Sequence, residues 1–209
     1  MVEGGNLVVQ HIRIGLVEGD PFPDDRLVVV VQRQAAAVVR ARSPQPARLD
    51  QQRVVTAAVA SMTLLNAGAS QAALQAGVRA ATDVTGFGLL GHLHRMLAAS
   101  QTAARIYAAT VPLLPGAAEL AAVGFISGGT RANTERMRGF AAVDPAVPPE
   151  LAVLLHDAQT SGGLLLATPP QAAPALLGEL RQQGLPAALI GDIVAGESGH
   201  VDVYPARSA

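Results

Sequence analysis

Residues 78–92, Val78-Arg-Ala-Ala-Thr-Asp-Val-Thr-Gly-Phe-Gly-Leu-Leu-Gly-His92, change their hydrophobic period part-way along. Residues 78–81 read as a brief strand and Thr82 to Gly88 as a polar loop. Leu89, Leu90, Leu93, Met96 and Leu97 then share one face of a helix over 89–99. Strand, loop and helix in that order form a unit of an α/β fold. The loop places an acid, two hydroxyls and two glycines where the strand ends and the helix begins. Backbone N–H groups at a helix start can bind phosphate, glycines permit close approach, and a carboxylate can hold the magnesium that accompanies phosphates. Asp83 is therefore a candidate metal ligand, with Thr85, Gly86 and Gly88 as candidate phosphate contacts. A structural alternative stays open: Asp83 or Thr85 caps the helix, and the glycines only make the turn.

Upstream, Val55, Ala58, Val59, Met62 and Leu65 recur at helical spacing, Asn66-Ala-Gly68 supplies a stop, and 70–77 reads as a further helical turn or two. Downstream, strands are expected at 104–108, 164–167, 187–194 and 200–204. Helices are expected at 117–122, from Val147-Pro-Pro-Glu150 to near His156, and at 172–183. The pattern is α/β, without an internal repeat. Residues 1–50 differ in character, with the turn-rich Asp20-Pro-Phe-Pro-Asp-Asp25 and no clean periodicity from Gln32 to Asp50.

Half of the 209 residues are apolar, which suffices for a sizeable core. The 15 basic and 16 acidic residues leave a net charge of −1, so there is no long-range attraction for polyanions or acidic membranes, and nucleic-acid binding is not expected. The absence of cysteine excludes disulfides, thiolate metal sites and a cysteine nucleophile from these residues. No secretory signal is visible in the first twenty residues and no apolar run approaches membrane-spanning length, so a cytoplasmic location without membrane partners is the expectation.

Two further loops repeat the vocabulary of the first: Ser127-Gly-Gly-Thr130, opening onto 131–138, and Asp157-Ala-Gln-Thr-Ser-Gly-Gly163. Each alone reads as a common turn. Three at element boundaries of one domain point to a shared ligand site, with Gly128, Gly129 and Thr130 as further phosphate candidates. His92 and His94, two apart on a helix, make a poor metal pair and read as capping or surface residues. Asp144, Asp192 and Asp202 read as turn or solvent-facing acids.

Ala81-Thr-Asp-Val-Thr-Gly-Phe-Gly-Leu-Leu-Gly-His92 resembles the signature of selenophosphate synthetases (selenide, water dikinases), as does Ser61-Met62 with Leu65-Asn66. Gly128-Gly-Thr-Arg-Ala-Asn133 resembles the GGT-x-x-N element of that family, Asp157 to Leu165 its DPQTSGGLL element, and Ile190-Gly191 its IG near the end. The resemblance covers residues 51–204 in the right order, with Ala158 in place of the usual proline.

It implies a mixed sheet packed with helices, as in the C-terminal domain of the aminoimidazole ribonucleotide synthetase-like superfamily. It implies ATP and selenide as substrates, selenophosphate, AMP and orthophosphate as products, and Mg2+ held by Asp83. Gly4 and Gly5 resemble a remnant of the family's nucleotide-touching GGH element. Residues 1–50 are then a remnant of the N-terminal domain and linker, diverged or out of frame over about 28–50, and 51–209 the C-terminal synthetase-like domain. The family's cysteine or selenocysteine, lysine and further metal-binding aspartates lie in the N-terminal domain. The resemblance therefore implies a C-terminal part that is inactive without an ATP-binding N-terminal half as partner, with homodimerisation weaker than in whole family members. The other readings are a non-catalytic phosphate-binding or assembly module, or a decayed fragment.

Overall fold

The computed structural model describes residues 26–31, 51–78 and 80–207. The strands are β1 (Arg26–Val31), β2 (Ala80–Asp83), β3 (Ala103–Tyr107), β4 (Ala141–Val143), β5 (Leu164–Thr168), β6 (Ala187–Val194) and β7 (Val201–Tyr204). They form one mixed sheet in the order β2-β5-β1-β6-β3-β7-β4, antiparallel from β2 across to β3, with β7 and β4 running parallel to β3. The helices are α1 (Gln51–Thr63), α2 (Ala67–Gln75), α3 (Gly88–Ala99), α4 (Ala117–Ala122), α5 (Gly128–Arg136), α6 (Pro149–Leu154) and α7 (Ala173–Gln182).

The apolar run in β5 explains the layering. Successive strand residues point to opposite faces, and all five residues of β5 are buried, so both faces of the sheet are covered. Leu165 and Ala167 pack with Leu89, Leu90, Leu93 and Leu97 of α3 on one face. Leu164 and Leu166 pack with Ala69, Ala72 and Ala73 of α2 and Leu176 and Leu180 of α7 on the other. Between β1 and β6 the register shifts, Val28 facing Gly191 and Val29 facing Leu189, which leaves Ile190 as the extra residue and turns it into the α3 core. A side chain at Gly191 would overlap the Arg105 carbonyl, so only glycine lets β6 lie this close to β3.

The expected α/β class and its mixed, helix-covered sheet are observed. Several local expectations are corrected. In α1 the buried residues are Val54, Ala58 and Ser61, while Val55 and Val59 are 38% and 48% exposed, so the predicted stripe is rotated on the helix, and Leu65, 68% exposed, lies beyond its end. Asn66-Ala-Gly68 does not stop this helix. It ends at Thr63, whose hydroxyl bonds back to the Val59 and Ala60 carbonyls, and Asn66 stands at the N-cap position of α2. The strand expected at 78–81 is displaced to Ala80–Asp83, which makes Thr82 and Asp83 strand residues paired with Leu165 and Leu164. Gly128-Gly-Thr130 is not a loop but the first turn of α5, because the Ser127 hydroxyl caps it by accepting from the Thr130 N–H at 3.1 Å. Asp192 lies within β6 and accepts from the Tyr107 hydroxyl at 2.6 Å. Strand β4 was not anticipated. Arg26–Val31, in the stretch read as remnant and linker, has both edges paired. No helix among the described residues is long and apolar enough to cross a membrane.

Candidate functional site

The loop after β2 is fixed from both ends. Val84 donates its N–H to the Gly163 carbonyl at 2.9 Å, carrying the β2–β5 pairing one step beyond Asp83. Thr85 donates its N–H to Nε2 of His92 at 3.0 Å, with its hydroxyl 3.1 Å from the same nitrogen. An imidazole nitrogen that accepts carries no proton, so His92 is neutral with its proton on Nδ1. Burial lowers its pKa, against the opposing pull of the Asp83 charge and with help from Arg95. His92 thus holds the loop from one helical turn below. Gly88 has φ +71°, and a side chain there would sit 2.6 Å from the His156 carbonyl, so glycine is required on both grounds.

The other two segments close on this loop. On α5, Thr130 and Asn133 lie three apart and therefore share a helical face, and both are buried. Thr130 donates its hydroxyl to the Asp157 carboxylate. Asn133 donates its amide to the Gly86 carbonyl at 2.9 Å and the His156 carbonyl at 3.0 Å. Its Oδ1 accepts from Arg136 at 3.0 Å, which fixes the amide orientation. Gln159 donates its N–H to the Thr85 carbonyl at 3.1 Å, and Asn66 its amide to the Gly162 carbonyl at 3.2 Å. A Cβ on Gly162 would overlap the Val84 carbonyl, and one on Gly129 would stand 3.1 Å from the Ala158 Cβ. The three glycine-bearing segments are therefore one knot, clipped chiefly by Asn133.

The candidates divide by what remains available to a ligand. Asp83 and Thr85 are half-buried, while Gly86, Gly128 and Gly129 are exposed. Thr130 is 1% exposed with its hydroxyl committed to Asp157, and Gly88 is buried against His156. Gly4 and Gly5 lie outside the described residues. Burial raises the Asp157 pKa, opposed by the bonds from Thr130 and the Ala158 N–H. His156 is buried, its Nδ1 has no hydrogen-bond partner, and its pKa is lowered to about 4, so the ring is neutral at pH 7.

Among the described residues no three His, Cys, Asp or Glu side chains group to hold a metal ion. The single carboxylate at this loop, that of half-buried Asp83, makes no all-protein cage; a hard cation such as magnesium held there would have to take its other oxygens from water and phosphate. Sequence reasoning did not find the clip role of Asn133, although its spacing from Thr130 was a usable signal. It also did not find Phe87, whose ring carries the Arg95 guanidinium at 4.1 Å and that of Arg136 at 5.4 Å.

The family described as AIR synthase related protein, C-terminal domain, matches residues 36–204. The selenide, water dikinase of Bordetella bronchiseptica is 42% identical over 142 residues, covering 68% of this chain and 40% of that protein. That of Nitratidesulfovibrio vulgaris (strain Miyazaki F) is 40% identical over 137 residues, 66% of this chain and 39% of that protein. The chain thus spans about two fifths of the length of these relatives. Among solved structures, E. coli HypE, a hydrogenase maturation protein, superposes with a TM-score of 0.58 at 17% identity, over 87% of this chain and 46% of that one. Thiamine-monophosphate kinase from Stenotrophomonas maltophilia gives 0.55 at 16%, over 88% and 51%. At such identities these two structures share the fold.

Proposed function

Because the chain belongs to the AIR synthase related family through its C-terminal domain, we propose that it supplies the C-terminal part of a selenide, water dikinase, the enzyme that makes selenophosphate from ATP, selenide and water. The observation that carries this reading is the knot itself: the three segments that resemble the synthetase motifs are the three that Asn133, Gln159 and Val84 tie together. A shared phosphate site is the economical reason for holding three glycine-bearing segments in one place.

In this reading the Asp83 carboxylate, at the end of β2 and half-buried, holds Mg2+ against the phosphates of ATP. Asp83 would hold the ion there, and the chemistry the ion would supply is neutralisation of phosphate charge. Thr85 and Gly86 present the loop to the phosphates, with His92 fixing the Thr85 amide from below. Gly128 and Gly129 bring the exposed first turn of α5 to the same phosphates. Gly88 and Thr130 act by positioning, one by admitting the His156 carbonyl and the other by anchoring Asp157. The 209 residues contain neither cysteine nor lysine. The nucleophilic and lysine functions of the synthetases would therefore come from another polypeptide segment. Phosphoryl transfer depends on positioning and charge stabilisation, so this domain alone should turn over little ATP.

A second reading is favoured by the commitment of Thr130 and Gly88 to internal contacts: a non-catalytic phosphate-binding or assembly module. One experiment separates the two. Selenide-dependent ATP hydrolysis with magnesium is measured for the chain alone and with a separately expressed N-terminal domain of a related synthetase. Activity in the mixture that Asp83→Asn abolishes supports the half-enzyme; a folded chain silent in both supports the module.

A further inference from the structure

Phe87, at the turn into α3, is flanked by guanidiniums from two helices, Arg95 of α3 and Arg136 of α5. The two guanidiniums share one ring and so lie within about 10 Å of each other, roughly a Debye length at 0.1 M salt, where like charges still repel. Neither meets a carboxylate at ion-pair distance among the described residues, whereas Arg138 on the same stretch of chain is paired with Glu135 at 2.8 Å and Arg207 with Asp192 at 3.4 Å. Both side chains are exposed. Stacking on Phe87 restricts them, and Arg136 is tied further by its bond to Asn133 Oδ1 at 3.0 Å. That same Asn133 holds the Gly86 carbonyl, so the Arg136 anchor and the first loop are fixed by one side chain. Two exposed guanidiniums without an ion-pair partner among the described residues, beside a glycine loop, supply the planar donor groups by which arginine takes phosphate oxygens, Arg136 with the donors not given to Asn133.

We propose that Arg95 and Arg136, held on Phe87, form an anion clamp at the mouth of the loop between β2 and α3 that takes a phosphoryl group of two or more negative charges. The inference rests on the phosphate-site reading above and deepens it by naming the groups that select polyphosphate. Its occupant is pyrophosphate or the polyphosphate tail of a nucleotide, which share the same chemistry.

The test is calorimetric binding of pyrophosphate, and separately of ATP, to the full chain without magnesium. Expected is salt-sensitive binding, weakened roughly tenfold or more in Arg95→Gln/Arg136→Gln. The single variant Arg95→Gln breaks no hydrogen bond within the knot and should account for a share of that loss. Arg105→Gln, on β3, serves as the control and should bind as the wild type does. Lysine at both positions should retain part of the salt dependence and lose affinity, since a point charge lacks the fork. Unchanged pyrophosphate binding in the double variant overturns the clamp, as does a wild type that binds no pyrophosphate. Asp83→Asn reports separately on the magnesium-dependent step. Its loss of selenide-dependent activity in the mixture with the N-terminal domain, together with an unaffected double arginine variant, would leave the phosphate site standing without the clamp. Binding of pyrophosphate but not ATP would assign the clamp to free polyphosphate.

Discussion

Asn133→Ala should uncouple the three segments, and its cost can be worked from their contacts. The substitution removes bonds of 2.9 Å to the Gly86 carbonyl and 3.0 Å to the His156 carbonyl, and it frees the Arg136 guanidinium, which is exposed and regains water. Gly86 is exposed, so its carbonyl regains water, and the loss there is the net worth of one hydrogen bond, about 1 kcal/mol. The His156 carbonyl sits against Gly88 in the interior and stays unsatisfied, at about 1–3 kcal/mol. The sum is about 2–4 kcal/mol, which for a chain of this size lowers Tm by roughly 5–15 °C. The chain has no tryptophan and two tyrosines, so urea unfolding is best followed by far-ultraviolet circular dichroism. Asn133→Asp sharpens the test, because it aims a second acceptor at two carbonyls. It should be less stable than Asn133→Ala at neutral pH and recover as acid protonates it. An alanine variant within about 0.5 kcal/mol of wild type, or an aspartate variant no worse than alanine, would refute the clip.

Glycines of the knot should respond unequally to alanine. Gly162→Ala, which overlaps the Val84 carbonyl, should cost at least 1–3 kcal/mol, whereas Gly86→Ala and Gly128→Ala meet nothing within 4 Å and should change thermal stability little; equal shifts would contradict the close-approach argument. Stability should also fall in acid. His156 titrates near 4 in the folded protein and near 6.5 when unfolded, so between those values the unfolded chain binds the extra proton, a loss on the order of 3 kcal/mol by pH 4. Asp157, with its pKa raised, works in the opposite sense, its contribution being present at low pH and lost as pH rises through the folded value. His156→Gln should flatten the acid limb of the stability–pH curve, and an unchanged limb would sink the assignment.

Much of the fold was legible where sequence and burial obey one period. Leu89, Leu90, Leu93 and Leu97 are large, regularly spaced and all buried, and the apolar run over 164–167 reads as a buried strand, which the structure extends to Thr168 with both faces covered. The face of α1 was misread because valine and alanine occupy so many of its positions that periodicity cannot choose between neighbouring stripes. Strand β4 has three residues and little burial, too short for a pattern. The motifs of the site were readable one by one, as glycines and hydroxyls at element boundaries. Their convergence was not, since the contact from Asn133 to Gly86 crosses 47 residues and involves a main-chain carbonyl, which carries no residue-type signal. Arg95 and Arg136 look in sequence like any solvent-facing arginines; only the shared ring of Phe87 sets them apart.

The place of β1 bears on how the chain acquires its structure. Leu27 faces Thr168 on one side and Asp192 on the other, so an early strand fills the slot between two late ones. During synthesis from the N-terminus, Arg26–Val31 must wait with both edges open until β5 and then β6 have emerged. Bringing such distant segments together incurs loop-closure entropy before any contact repays it, so this sheet should close late and slowly. Helix α3 and its flanking turn, built from near neighbours, can form first. The vulnerable interval lies between these events, when a valine-rich strand with two unpaired edges is most open to pairing with another chain.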